Sequence, residues 1–549
     1  MTGVRLVQIL LLLKLCAVLF LPGTFVLPPF DRDEARFAQA TRQMVESRDF
    51  IDIRFQEEAR HKKPIGIYWL QAAAVEAVGL GESSPIWVYR LPSIIGATLA
   101  VLLTAWVGGR LFGSGTGVLA AAMLAGCVVM GVEARMAKTD AVLLALIIAA
   151  QGALAQIYLD RDNPRKPWRM PMLFWAAQGA AILIKGPIGP MISFGTIFGL
   201  MMVDWRLGWL RRLRPILGLL LLLAIVLPWL IAIGVRTDGA FFIESLGRDL
   251  LGKVASGQES KGFPPGFYIA TFWGTFAPFS FLTLLSLPWI WSTRRDPATR
   301  FCLAWIIPAW LVFEFIPTKL FHYTLPVFPA LALLTARAVL DSFGRGGSWR
   351  RRRALGWLAG GLGIISVGGV AGGVAALPWF LEQRIEPAPI AAASVLLISV
   401  CVGLWLIRRG APIRAVSMIL IAFSVFSIAT YQFVLPNLDD VWISRRAAQI
   451  VARESRCPTP VVASAGYGEP SLVFLLGTKT RTGSGGVAAE MLKSDPKCGL
   501  AFVSKEEEAV FREALGGQET QTLGMIEGVN YSRGKKVQLN LYAMKADPK

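Results

Sequence analysis

"PPFDRDEARFAQATRQM", residues 28–44, sets three acids (Asp31, Asp33 and Glu34) and three arginines directly behind residues 6–27, a segment apolar enough to sit in lipid. Charge beside a bilayer is costly unless it pairs, reaches water or works. What residues 6–27 and 28–44 each do decides how the rest of the chain is read.

The surrounding composition points to the membrane. The 549 residues are 54% hydrophobic and only 17% charged, against roughly 25% charged in an ordinary soluble domain. Apolar stretches of about 18 residues or more, each enough to cross a core of roughly 30 Å, recur up to residue 435 and then stop. They read as about thirteen spans, centred near residues 15, 98, 122, 149, 180, 197, 225, 280, 307, 332, 365, 397 and 423. Lys14 interrupts the first apolar run and "LPGTFVLPPF" (21–30) has no small-residue cleavage pattern, so the first span reads as a retained anchor. The expected fold is a polytopic α-helical membrane protein, with residues 1–435 in the membrane and 436–549 as a small soluble α/β domain.

A net charge of +19 would suggest nucleic acid in a soluble protein, but here the surplus lies in short connections between spans. The stretches 161–169, 206–214, 294–300, 345–353 and 408–414 hold 19 Arg and Lys and fall on alternate connections, which places them in the cytoplasm. The other connections and the tail then face the far side. One outer loop resists: residues 27–64 carry eight Arg and Lys beside eight acids.

The outer connections 27–85 and 236–266 are long, as functional loops tend to be. In the first, "DEARFAQATRQMVES" (33–47) has apolar residues at helical spacing and acids at its start, and "PIGIYWLQAAAVEAVGL" (64–80) opens on a proline suited to a first turn. Both read as helices along the membrane surface. The tail runs "TPVVASAG", "SLVFLLG", "GLAFVSKEEEAVFREAL" and "KVQLNLYAM" suggest strands alternating with helices and a partly parallel sheet. Cys457 and Cys498, the two cysteines of the tail, are candidates for a disulfide in an oxidising compartment.

Polar clusters gather on the outer side: "DRDEARF" (31–37), "HKKP" (61–64), "ARMAKTD" (134–140), "IKGPIG" (184–189) and "PTKLFHY" (317–323). Asp33 and Glu34 read either as a helix start at headgroup level or as carboxylates aimed at a reaction centre, with Asp140 as a second acid. Arg36, Lys63 and Lys319 are either snorkelling cations or binders of a lipid phosphate, with Tyr323 adding a hydroxyl. Snorkelling suits Lys185 better. His61 and His322, the only histidines, allow a divalent metal such as zinc with Glu57 or Glu58, although no ligand motif is present.

Taken together, "DRDEARFAQATRQM", "KKPIGIYWLQ", "RMAKTDAVL", "IKGPIG", "PTKLFHYTLPVFPALALL" and "GYGEPSLVFLLG" resemble the bacterial lipid A aminoarabinose transferases, polytopic glycosyltransferases of the C-type fold. The resemblance covers nearly the whole chain. It implies transfer of 4-amino-4-deoxy-L-arabinose from undecaprenyl phosphate to a lipid A phosphate, with inversion, at the periplasmic face of the bacterial inner membrane. It implies no required cofactor, no nucleic-acid partner and a monomer. By that resemblance Asp33 is the essential carboxylate and Asp140 the second acid, while Arg36, Lys63 and Tyr323 hold the donor phosphate. The segment 241–268 keeps Glu244, Arg248 and Tyr268 but has no histidine where relatives often do, and Glu244, Arg248 and Lys185 are the candidate acceptor contacts. Two other readings are open: a protein O-mannosyltransferase or another polyprenyl-phosphate glycosyltransferase of the same fold, and a lipid flippase or transporter.

Overall fold

The structure, a computed structural model, describes residues 5–545 apart from 164–166, 206–207, 246, 248–251, 253–262 and 343–352. Every one of the thirteen span centres falls inside a helix. Among the described residues, seven helices are long and apolar enough to cross a membrane alone, and up to nine spans result if each of two bent helix pairs counts as one. The pairs are Ser114–Ala125 with Val128–Ala134, bent by 69°, and Phe267–Thr275 with Ser280–Ser292, bent by 117°. Hydropathy sees an apolar run in both places and is blind to the break.

The first ten helices that place the site are α1 Leu6–Phe20, α2 Asp33–Ser47, α3 Gly66–Val78, α4 Ile86–Leu111, α5 Ser114–Ala125, α6 Val128–Ala134, α7 Asp140–Leu159, α8 Arg169–Lys185, α9 Ile188–Asp204 and α10 Pro215–Arg236. Helix α7 lies at the centre, packed on α4 and α8, with 17 of its 20 residues buried. Two glycines set its surroundings. A Cβ on Gly96 of α4 would lie 2.8 Å from the Val142 backbone of α7, and one on Gly66 of α3 would lie 2.7 Å from the Leu183 carbonyl of α8. These close approaches draw the start of α7, the end of α8 and the first-loop helices to one place.

Described residues in or beside the Arg-rich connections touch one another in two groups. Arg212 donates to the carbonyl oxygens of Asp160 and Asn163, and Arg300 pairs with Asp204. Arg408 lies 4.3 Å over the Trp357 ring. Helix α7 runs from Asp140 to this cationic end, a length of about 30 Å.

At the other end, the first-loop helices carry the tail domain. Strands β1 (Arg54–Phe55) and β2 (Glu58–Ala59) form a small hairpin between α2 and α3. The tail contributes β3 (Val462–Ala465), β4 (Arg481–Gly483), β5 (Leu500–Ser504), β6 (Thr520–Asn530) and β7 (Lys535–Met544). Their order is β4-β3-β5-β7-β6, with β3 parallel to both β4 and β5 and the remaining pairs antiparallel. The sheet is thus partly parallel. "SLVFLLG" lies in the helix Pro470–Leu476: it is buried against α2, whose Arg42 lies over the Phe474 ring and bonds the Phe474 carbonyl. A disulfide joins Cys457 to Cys498, Cα atoms 5.5 Å apart.

The tail seats on the loop through Asp31, which accepts the Ser471 N–H at 3.2 Å, and through Arg32, which donates to the Ser532 carbonyl at 2.7 Å. Gln39 reaches Thr478 at 2.8 Å. Burial lifts the Asp31 carboxyl to about 6, with the hydrogen bonds from Ser471 acting the other way. The cations of residues 27–64 that strain the charge rule therefore have local work: Arg32 and Arg42 hold the tail, Arg48 pairs with Glu76 at 2.6 Å, and most of the others enter the site.

Candidate active site

A cleft of about 560 Å³ opens at the end of the bundle that carries the tail. Asp33, the first residue of α2, stands exposed at its rim. Arg36 and Phe37 follow one turn later on the same face, as helical spacing requires. The β1–β2 hairpin returns the chain so that Arg60, Lys62 and Lys63 also line the cleft; the Arg60 guanidinium lies 5.1 Å over the Phe37 ring and bonds the Tyr68 hydroxyl at 3.3 Å.

The floor comes from the helix ends. Asp140 opens α7, where the helix dipole favours an anion, and Lys185 closes α8. Lys185 Nζ donates to Asp140 Oδ1 at 2.6 Å and sits 5.6 Å over the Tyr323 ring. Asp140 is also approached by Lys138 Nζ, 3.8 Å from Oδ2, and by His322 Nε2, 3.6 Å from Oδ1. Behind them lies Glu133 of α6, 2% exposed, with Lys138 at 3.0 Å and His322 Nδ1 at 3.7 Å.

Burial first, and the Arg60 charge second, lower the affinity of Arg36 for its proton, against the opposing pull of the Asp33 and Glu469 carboxylates. Burial alone would lower Lys138, but the Glu133 and Asp140 carboxylates more than reverse it, and its ammonium is held firmly. Burial, then the Lys138 charge, take His322 well below its ordinary value, so its imidazole is neutral at neutral pH.

Asp33, Arg36, Lys63, Asp140, Lys185, His322 and Tyr323, drawn from five separate sequence clusters, line this one cleft. Other expected residues lie elsewhere. Glu34 is fully buried below the cleft, where its two oxygens take Arg90 Nε and Nη2 at 2.8 Å each. It also accepts the N–H groups of Phe30 and Ala137, and Arg90 donates to the carbonyls of Thr24, Leu27 and Pro28. Glu34 is thus an anchor that fixes Asp33, not a reacting carboxylate. Lys319 is 3% exposed and bonds the Ile316 carbonyl at 2.8 Å. It supports the loop carrying His322 and Tyr323 and does not line the cleft.

His61 is buried between Asp52, at 3.0 Å, and Glu244, at 3.5 Å, and neither it nor Glu244 lines the cleft. Arg248 lies outside the described residues. The two histidines thus have different carboxylate partners, and among the described residues no three His, Cys, Asp or Glu side chains stand together as metal ligands; the donor set does not fit a zinc site. Sequence reasoning missed Glu133, Arg60 and Lys62. An acid inside an apolar run was the available signal for Glu133.

The family model described as dolichyl-phosphate-mannose-protein mannosyltransferase matches residues 62–231. The undecaprenyl phosphate-alpha-4-amino-4-deoxy-L-arabinose arabinosyl transferase of Aeromonas salmonicida is 27% identical over 358 residues, 62% of this chain and 61% of that protein. The protein of the same name from Pseudomonas aeruginosa is 26% identical over 439 residues, 77% of this chain and 76% of its own length. Among solved structures, ArnT from Cupriavidus metallidurans bound to undecaprenyl phosphate superimposes with a TM-score of 0.75 at 19% identity, covering 98% of this chain and 99% of that one. The oligosaccharyltransferase of Archaeoglobus fulgidus matches with a TM-score of 0.55 at 12% identity, over 91% of this chain and 69% of that one. The fold is therefore that of the polytopic C-type membrane glycosyltransferases. Within that class, the sequence is similar to the aminoarabinose transferases, and the matched part spans 61% of the Aeromonas relative.

Proposed function

We propose that this protein moves 4-amino-4-deoxy-L-arabinose from undecaprenyl phosphate to a phosphate of lipid A, with inversion at the sugar carbon. It works as a monomer in the bacterial inner membrane, its cleft and tail domain facing the periplasm. The orientation rests on the Arg-rich connections, which belong at the cytoplasmic end.

One observation carries the reading. Among the described residues, six cations line the cleft (Arg36, Arg60, Lys62, Lys63, Lys138 and Lys185) against two carboxylates, Asp33 and Asp140; Glu133 occupies Lys138 from behind. Three positive charges remain in surplus, which matches a reaction with phosphate on both sides. A leaving phosphate needs cations more than a proton, and Arg36 and Lys63, with the Tyr323 hydroxyl, stabilise its developing charge. An acceptor phosphate is already an anion and needs no base. Asp33 then faces the sugar and stabilises the positive charge that builds on its ring as the bond to the donor phosphate breaks. Asp140, tethered by Lys185, orients the sugar from the floor.

The match to the mannosyltransferase family over residues 62–231 supports a second reading, transfer to a protein hydroxyl. That acceptor is neutral and leaves the cationic surplus unmatched. The test is purified protein in lipid nanodiscs with undecaprenyl-phosphate aminoarabinose and lipid A, followed by mass spectrometry. The expected result is lipid A heavier by one aminoarabinose residue. Consumption of donor only when a peptide is supplied would overturn it in favour of the second reading.

A further inference from the structure

Glu133 is a buried acid in a bent apolar helix pair, and the reaction just proposed gives it no contact with substrate. Its Oε1 lies 3.0 Å from Lys138 Nζ and 3.7 Å from His322 Nδ1. Lys138 and His322 in turn face Asp140 at 3.8 and 3.6 Å. The four side chains close a ring: two carboxylates at opposite corners, with an ammonium and a neutral imidazole between them. Lys138 stands nearer Glu133 than Asp140, while Asp140 takes its short contact, 2.6 Å, from Lys185. Glu133 Oε2 is buried and, among the described residues, has no hydrogen-bond partner. A carboxylate left half-satisfied in that way is costly to keep, and its one ion pair is the contact that makes it worth keeping.

Resting on the reading above, we propose that Glu133 is a positioning residue which takes up the charge of Lys138, so that Lys185 keeps the short contact to Asp140 and Lys138 adds little to the field on the substrate phosphates. Too many cations in the cleft would bind the polyprenyl phosphate more tightly in the ground state without lowering the barrier, since uniform binding does not speed the chemical step. Without Glu133 the Lys138 ammonium turns to Asp140 and the phosphate site, and Asp140 loses its tether to Lys185. Affinity for the phosphate and turnover then move in opposite directions.

The probe is undecaprenyl phosphate, bound to the full chain in nanodiscs of zwitterionic lipid, with transfer to lipid A measured on the same preparations. Glu133→Gln should bind the probe about three- to tenfold more tightly, as one uncompensated charge at several ångströms permits, and should lose about tenfold or more in transfer rate. A general loss of packing would weaken both, which would overturn the proposal. Glu133→Asp keeps the charge and should restore affinity and most of the rate. The double variant Glu133→Gln with Lys138→Met removes both charges and should return the affinity to within about twofold of wild type. If the single variant does not fold, that double variant decides: an affinity changed by more than about tenfold overturns the proposal. If the wild-type chain does not bind undecaprenyl phosphate at all, the proposed function fails and this inference fails with it; binding by wild type with no gain in Glu133→Gln rejects the inference alone.

Discussion

Both ends of the bundle carry a cation-rich cleft, and they do different things with their charge. At the tail end, six Arg and Lys surround a space of about 560 Å³ together with Asp33 and Asp140. At the opposite end, Arg211, Arg212 and Arg214 line a space of about 460 Å³ with Gln156, Asp160, Met170 and two prolines. There Arg212 is spent on the carbonyl oxygens of Asp160 and Asn163. The tail-end cleft has twice as many cations, six against three, but number is not the main contrast. The opposite cleft also has a carboxylate, Asp160; the difference is that the two acids of the tail-end cleft, Asp33 and Asp140, each open a helix, and Asp140 is tied to Lys185 at 2.6 Å.

The comparison can be broken by mutation, and Asp33→Ala has the largest expected effect. Asp33 is exposed at the rim, so the protein should fold as wild type while transfer falls by about a thousandfold or more, as for loss of a main stabilising group in a glycosyl transition state. Retention of even a tenth of the rate would remove Asp33 from the reaction. Glu34→Ala, one residue away, should fail for another reason. Removing one partner of the buried pair with Arg90 costs about 3–5 kcal/mol, so thermal unfolding should shift down sharply and yield should fall. An unchanged melting temperature would contradict the anchoring role.

Arg36→Ala and Lys63→Ala come next, each weakening the donor by about tenfold or more, read as a rise in KM for the polyprenyl-phosphate sugar. The matching change at the opposite end, Arg212→Ala, should leave transfer unchanged. Any comparable loss there would mean that the second cleft takes part in the reaction.

The smallest effect is pH dependence at the tail seat. The folded-state value of Asp31, about 6, lies above its ordinary one, so folded protein holds a proton that unfolded chain releases. Stability is then full below about pH 4, declines as pH rises to about 6 and is level above it, by at most about 3 kcal/mol. Asp31→Asn should flatten this slope in thermal melts between those values.

Much of the site was legible because charge is conspicuous in an apolar chain. Asp33, Arg36, Lys63, Asp140 and Tyr323 stood out as polar groups where lipid was expected, and the cleft gathers all of them. What the chain could not reveal is which of two adjacent acids faces the cleft. Asp33 and Glu34 differ only in direction, and the direction is set by Arg90, 56 residues further on. Lys319 misled for the same reason: its ammonium turns inward to a carbonyl three residues back. The bends at Gly126–Cys127 and between Thr275 and Ser280 leave no trace in hydropathy. In the tail, β4 was too short and exposed to show, and β6 alternates weakly because a register shift between Thr522 and Gly524 breaks its pattern and only Ile526 and Asn530 of it are buried.

Binding and transfer, measured together on Asp33→Ala, test the account most directly. If cations hold the lipid phosphate and Asp33 serves only the sugar, the variant binds undecaprenyl phosphate within about threefold of wild type and makes no modified lipid A. Loss of binding along with transfer, or transfer that persists, would contradict that division of labour.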